Sequence, residues 1–196
     1  MEAPAPLGVV LAGGASRRMG TPKAALPVGA GSLIERPLAA LAAAGLEAVV
    51  IAKRDSPLPS LAVARWDEPA TPRHPLCGIV AALERARRPI VVLACDLPLV
   101  PPALVKRLAR PLAADGPAAA VVPAPGGDLE PLVARYEPGA TAALAAALAE
   151  RRPLREAVAG LSPETLGDAE LRGYGDPRRM FANVNTRADL AALESL

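Results

Sequence analysis

Five consecutive residues, Leu7 to Leu11 (LGVVL), are apolar or glycine without interruption, and the run stops at the adjacent pair Gly13-Gly14. A strand with one wet face alternates apolar and polar residues. A run that is apolar throughout needs cover on both faces, which is the situation of a parallel sheet between layers of helices. The pattern recurs at Glu47 to Ala52 (EAVVIA) and at Pro89 to Cys95 (PIVVLAC), with a further strand expected over Leu61 to Arg65. Helical stretches separate these runs. Ser32 to Ala44 reads as a helix opened by a Ser32/Glu35 capping box and stopped by Gly45, with Pro37 expected to cost it one hydrogen bond. Gly78 to Arg88 reads as the next. Later come a helix over Pro101 to Ala114, strands over Ala118 to Pro123 and Pro131 to Tyr136, and helices over Gly139 to Arg151 and Thr186 to Leu196. The order strand, helix, strand, helix predicts an α/β fold: a mostly parallel sheet with helices on both faces and right-handed crossovers. The Pro/Gly stretch Val122 to Pro131 reads as a loop, because strand pattern resumes on both sides, so one domain over residues 1–196 is expected.

Composition narrows the function. Aromatic residues make up only 2% of the chain, so the core must be built from Ala, Val, Leu and Ile, and a base-stacking reader of single-stranded nucleic acid is disfavoured. A formal net charge of +2 is too small to imply a polyanion partner by itself. Cys77, Cys95 and the lone His74 make no zinc or redox spacing; two buried thiols in a reducing compartment are the expectation. No apolar stretch is long enough to span a bilayer, and the N-terminal residues lack the order of a signal peptide. Neither a membrane nor a nucleic acid is expected as a partner, and the cytoplasm is the expected location.

Chemistry concentrates in a few places. The string Leu11-Ala12-Gly13-Gly14-Ala15-Ser16-Arg17-Arg18-Met19-Gly20-Thr21-Pro22-Lys23 follows the first strand. Ligands of open α/β sheets bind beyond the carboxyl ends of strands. Adjacent glycines let backbone N–H groups approach phosphate, and Arg17, Arg18 and Lys23 add positive charge. The string is neither G-x-x-x-x-G-K-[ST] nor G-x-G-x-x-G. Asp96 ends the strand over Pro89 to Cys95, where a single carboxylate could serve a magnesium ion that keeps its waters and binds substrate phosphates. Asp67, in Trp66-Asp67-Glu68, precedes Pro75-Leu76-Cys77-Gly78. Asn183 and Asn185 alternate in Phe181-Ala182-Asn183-Val184-Asn185-Thr186, so both could face one side of an extended segment.

The long glycine string resembles the signature L-A-G-G-x-S-x-R-M-G-x-x-K of the molybdenum cofactor guanylyltransferases, which belong to a larger group of nucleotidyltransferases with a Rossmann-like fold. Ala94-Cys95-Asp96-Leu97-Pro98 matches that family's C-D-x-P, and Asn183 to Leu190 its N-x-N-[ST]-P-x-[DE]-L, with Arg187 in place of Pro. The resemblance is firm near residues 11–23, 67–78, 95–98 and 181–190, and weak between Gly126 and Gly175. It implies transfer of GMP from GTP to the phosphate of molybdopterin with release of pyrophosphate. Leu11, Ala12, Gly13, Gly14, Lys23, Asp67 and Asp96 would bind nucleotide. Lys23, Arg18 and Asp96 would carry catalysis, Asp96 would hold Mg2+, and Arg18, Gly78, Asn183 and Asn185 would bind molybdopterin. Gly78 would do so at the start of its helix, where phosphate could approach the N-terminus. A monomer is expected, with transient contact to other proteins of molybdenum cofactor biosynthesis compatible with the reading.

One departure stands out. The second strand of family members often ends in Asn, which helps hold the nucleotide; here Val50-Ile51-Ala52-Lys53 places Ala52 there, leaving base or ribose recognition to backbone groups or other side chains. The rivals are a molybdopterin cytidylyltransferase, whose loop usually reads L-A-A-G, or another nucleotidyltransferase of this fold, and a guanine-nucleotide-binding protein without chemistry. A dinucleotide-dependent oxidoreductase lacks both its glycine fingerprint and an acid ending the second strand.

Overall fold

The computed structural model describes residues 4–13, 22–28, 31–112, 118–184 and 189. The strands are β1 (Leu7–Leu11), β2 (Pro27–Val28), β3 (Gly31–Ser32), β4 (Ala48–Lys53), β5 (Ala64–Glu68), β6 (Ile90–Ala94), β7 (Ala120–Pro123), β8 (Val133–Tyr136) and β9 (Glu164–Leu166). The helices are α1 (Glu35–Ala43), α2 (Pro75–Ala86), α3 (Pro102–Ala109), α4 (Thr141–Ala149), α5 (Leu154–Ala159), α6 (Asp168–Leu171) and α7 (Pro177–Met180). Seven strands form one sheet in the order β5-β4-β1-β6-β8-β7-β9, and β2 and β3 form a small antiparallel pair.

The apolar runs dictate the centre of this sheet. β1 lies between β4 and β6, parallel to both, with Val10 beside Val50 on one side and Leu93 on the other. β5 extends the parallel sheet beyond β4. β8 pairs antiparallel with both β6 and β7, and β7 pairs parallel with β9, so β8 alone runs against the rest. Alternate side chains of the central strands feed two cores. Val10, Val50, Val91 and Leu93 pack with Leu41 of α1 and Leu104 and Leu108 of α3. Leu7, Val9, Ile51 and Val92 pack with Ile79 and Leu83 of α2, Leu144 of α4 and Val158 of α5. Each of these side chains is almost fully buried, which contributes on the order of 1.5–3 kcal/mol apiece. Both faces of the sheet are thus covered, as the uninterrupted runs require. No helix among the described residues is long and apolar enough to cross a membrane.

The local signals resolve differently in places. Gly45 ends α1 with φ +81°, and the N–H groups of Gly45 and Leu46 return to the carbonyls of Ala42 and Leu41, a Schellman closure. At the other end Ser32 is not the cap. It lies in β3, Ile34 is the N-cap, and the Ser32 N–H and Oγ both donate to the Glu35 carboxylate. Only the returning half of the expected capping box therefore forms. Pro37 costs no hydrogen bond, because it falls in the first turn, where N–H groups have no partner inside the helix. α2 starts at Pro75 rather than Gly78. The His74 Nδ1 accepts from the Leu76 N–H at 3.2 Å, capping a helix that has Pro at its first position. α3 stops at Ala109, since Arg110 precedes Pro111 and turns extended. The expected third strand is displaced to Ala64–Glu68, and α5, α6, α7 and β9 fill a region in which only the Gly139 to Arg151 helix was expected. The helix expected over Thr186 to Leu196 lies almost wholly outside the described residues.

Candidate active site

The chain runs outward from β1 to β4 and β5, then crosses back to place β6 on the other side of β1. Such a reversal opens a crevice beyond the carboxyl ends of the two strands. Two backbone bonds fix its floor: the Cys95 N–H donates to the Leu11 carbonyl at 3.0 Å, and the Ala12 N–H to the Ile51 carbonyl at 2.8 Å. The second bond corrects one expectation. The Ala12 N–H is committed to β4 and is not available to a nucleotide; Gly13 is the first residue of the turn whose N–H could serve.

Lys23 and Asp96 meet at this crevice. Lys23 opens a one-turn 3-10 segment, Lys23–Ala25, and Asp96 lies two residues past the end of β6. Their Nζ and Oδ2 atoms stand 3.0 Å apart, with side chains 18% and 30% exposed. A carboxylate and an ammonium from distant parts of the chain are thus held together yet open to solvent. Asp96 is anchored from below as well, because the Val184 N–H donates to its backbone carbonyl at 2.9 Å. That bond brings the exposed Asn183 next to the Asp96 loop. Beside Asp96 the buried Cys95 thiol is pushed up to about 12, first by burial and then by the neighbouring carboxylate, against the pull of Lys23. Gly14, Arg18 and Asn185 lie outside the described residues.

Asp67 is placed elsewhere. It sits on the edge strand β5, accepts from Arg65 Nε at 3.2 Å and lies 3.9 Å from Arg54 Nε, on a partly exposed surface. Arg65 in turn donates to the carbonyls of Lys53, Arg54 and Ser56, tying the loop after β4 to β5. Asp67 lines a cleft of about 370 Å³ with Arg54, Asp55, Glu68, Ala70 and Arg73. Gly78 does not open a helix. It is buried inside α2, and a Cβ there would meet Leu11 Cδ2 at 2.8 Å and Glu68 Oε2 at 3.0 Å. Its smallness serves the approach of α2 to the sheet and to Glu68.

Sequence reasoning passed over the second charged pair in this neighbourhood. Lys53 ends β4 and Glu68 ends β5, and the strand register sets them side by side. Lys53 Nζ is 3.2 Å from Glu68 Oε1, with side chains 3% and 7% exposed, and it also donates to the carbonyls of Pro69 at 2.5 Å and Pro72 at 3.2 Å. Burial raises the Glu68 pKa, and the hydrogen bond and charge of Lys53 oppose that rise. A Cβ on Gly13 would come within 2.5 Å of Glu68 Oε1, so a larger residue there would have to displace this carboxylate. The available signal was a Lys ending an apolar strand and a Glu at the paired end of the next.

The described residues bring no three His, Cys, Asp or Glu side chains together as a metal cage. Asp96 alone fits a hard cation that retains water and takes its other ligands from substrate phosphates.

Comparison with known proteins bears on the family. Residues 8–165 match the model of the MobA-like NTP transferase domain. A probable molybdenum cofactor guanylyltransferase of Chloroflexus aggregans is 32% identical over 96% of this chain and 93% of its own length. Its counterpart in Mycobacterium avium is 36% identical over 95% and 93%. The crystal structure of molybdopterin-guanine dinucleotide biosynthesis protein A from Archaeoglobus fulgidus superposes with a TM-score of 0.78 at 25% identity, covering 96% of each chain. The matched segment begins in β1 and ends in β9, taking in both ends of the crevice, and the chain belongs to the MobA-like NTP transferase family.

Proposed function

We propose that this nucleotidyltransferase transfers GMP from GTP to the terminal phosphate of molybdopterin, forming the guanine dinucleotide cofactor and releasing pyrophosphate. The observation that carries the reading is the 3.0 Å contact between Lys23 and Asp96 at the switch point of the sheet. Family membership and the names of the relatives support the choice of substrates.

Lys23 donates to phosphate oxygens and stabilises the charge that builds on the transferring and leaving groups; Arg18 shares that task. Gly13 and Gly14 offer N–H groups to the nucleotide, and Leu11 packs behind the turn. Asp67 meets the nucleotide from the rim of the neighbouring cleft. Asn183, beside the Asp96 loop, meets molybdopterin, and Asn185 shares that role. Asp96 would hold Mg2+, which when bound neutralises charge on the phosphate oxygens. An oxygen of the acceptor phosphate forms a bond to the α-phosphorus while the bond to the bridging oxygen breaks and pyrophosphate departs. The acceptor is already ionised, so no strong general base is required, and catalysis is positioning and electrostatics.

The test is pyrophosphate release by purified protein with molybdopterin and Mg2+, supplied with each nucleoside triphosphate separately. Release with GTP and formation of the dinucleotide are expected. Release with CTP instead would reassign the donor, and release with none would overturn the reading.

A further inference from the structure

The Lys53–Glu68 pair has no part in the phosphate chemistry, yet it stands at the root of the glycine turn. Sheet hydrogen bonds carry the chain after β1 as far as Ala12, whose N–H donates to Ile51. At Gly13 the neighbour is the Glu68 carboxylate: Oε1 fills the place of a side chain, 2.5 Å from a Cβ built there. The Gly13 backbone lies outside the left-handed region, so this contact, and not its φ angle, sets the residue apart. The other oxygen, Oε2, is 3.0 Å from a Cβ built on Gly78 inside α2. Lys53 holds the carboxylate from the end of β4 and is itself tied to the carbonyls of Pro69 and Pro72. One carboxylate thus meets the turn, a helix and a strand at once.

A buried ion pair seldom stabilises a fold more than an apolar pair of the same volume, and its better-attested use is to fix a geometry. An apolar side chain in place of Glu68 could slide against Gly13. A carboxylate bound to Lys53, which is bound to two carbonyls, cannot. Charge matters too. A lone carboxylate beside the turn would repel a polyphosphate, and Lys53, at 3.2 Å, cancels it. We propose that Glu68, clamped by Lys53, is a positioning residue: it fixes Gly13, and with it the start of the glycine turn, where the backbone N–H groups receive the nucleotide phosphates. This rests on the nucleotide site proposed above, but on neither the identity of the base nor molybdopterin as acceptor.

The test is calorimetric titration with GTP and with CTP in Mg2+, read on whichever binds, beside the thermal midpoint of each variant. Lys53→Met/Glu68→Leu replaces the pair by apolar side chains of similar size. It should keep or raise the midpoint while weakening nucleotide binding by roughly 10- to 100-fold. Undiminished affinity in that folded variant would overturn the proposal. A second measurement does without it. Gly13→Ala sets a methyl group against Oε1, and Glu68→Asp draws the carboxylate back by one bond, about 1.5 Å. Each should weaken binding alone, and the combined variant should bind tighter than the two losses multiplied predict, by roughly 3- to 100-fold. Losses that simply multiply would overturn the proposal, as would full affinity in Gly13→Ala or midpoints that fall in step with affinity in every variant. The coupling, found in a protein that releases no pyrophosphate with molybdopterin, would sustain the role of Glu68 and reject the transfer reaction. Failure of the unmodified protein to bind any nucleoside triphosphate would reject both.

Discussion

Two lysine–carboxylate pairs stand at strand ends of the same sheet, and they are built differently. Lys23 and Asp96 come from a loop and from the end of β6, and both remain partly exposed. Lys53 and Glu68 end adjacent strands, are almost sealed from solvent, and are fixed by two further carbonyls. Water screens the first pair, so its partners can be exchanged for a ligand at little cost. The second pair lies where screening is weak, and separating it would leave a buried charge. The contrast assigns different work to similar chemistry: an open pair can be reorganised by a polyphosphate, whereas a closed pair can only present a fixed shape.

The strongest way to break this comparison is Lys53→Met. It should cost about 3–5 kcal/mol of stability at neutral pH, because Glu68 is left buried without its counter-ion. The cost should shrink on acidification. Burial raises the Glu68 pKa above its ordinary 4.5, so its contribution to stability is fully present below that value and is lost as pH rises through the folded pKa. Without Lys53 the only force opposing that rise is removed. Denaturant titrations at pH 4 and pH 7 should show the larger deficit at pH 7; equal deficits would refute the assignment. Next in size, Lys23→Ala should raise the barrier to turnover by about 2–4 kcal/mol. It should cost less stability than Lys53→Met, since the Lys23–Asp96 pair is only partly buried. Near-normal turnover would remove Lys23 from the chemistry.

Gly78→Ala sharpens the comparison from the packing side. Alanine should gain about 1 kcal/mol in helix propensity but lose about 1–3 kcal/mol to crowding against Leu11 and a carboxylate that cannot move aside. A lower urea midpoint is expected, and a higher one would mean that Glu68 yields. The smallest effect concerns Cys95. With its thiol pushed up to about 12, it should resist a thiol reagent at pH 8 in the folded protein and react only on unfolding.

The elements legible in the sequence were those whose physics is local. β1, β4 and β6 are continuous apolar runs, and such runs have few folds open to them. β5 was misplaced by three residues because it is an edge strand: Arg65, Asp67 and Glu68 carry charge where a central strand would be apolar, a usual protection of an open edge. The start of α2 was missed because its cap is a histidine, rarer in that role than Ser or Asp. α5 to α7 and β9 are too short to show periodicity. In the candidate site, Lys23 and Asp96 were visible as residues of a motif, and their contact follows from where β1 and β6 end. Lys53 and Glu68 were not, because their meeting depends on the register between two strands, which no local pattern encodes.

The bond from Val184 to the Asp96 carbonyl has a consequence for the order of events. β1, β4 and β6 can assemble as soon as they have been synthesised, but the peptide under Asp96 keeps an unmet carbonyl until residues near 184 have emerged and doubled back. A nascent chain would therefore own a finished sheet before it owned a finished reaction centre, and competence would wait for the segment that carries Val184.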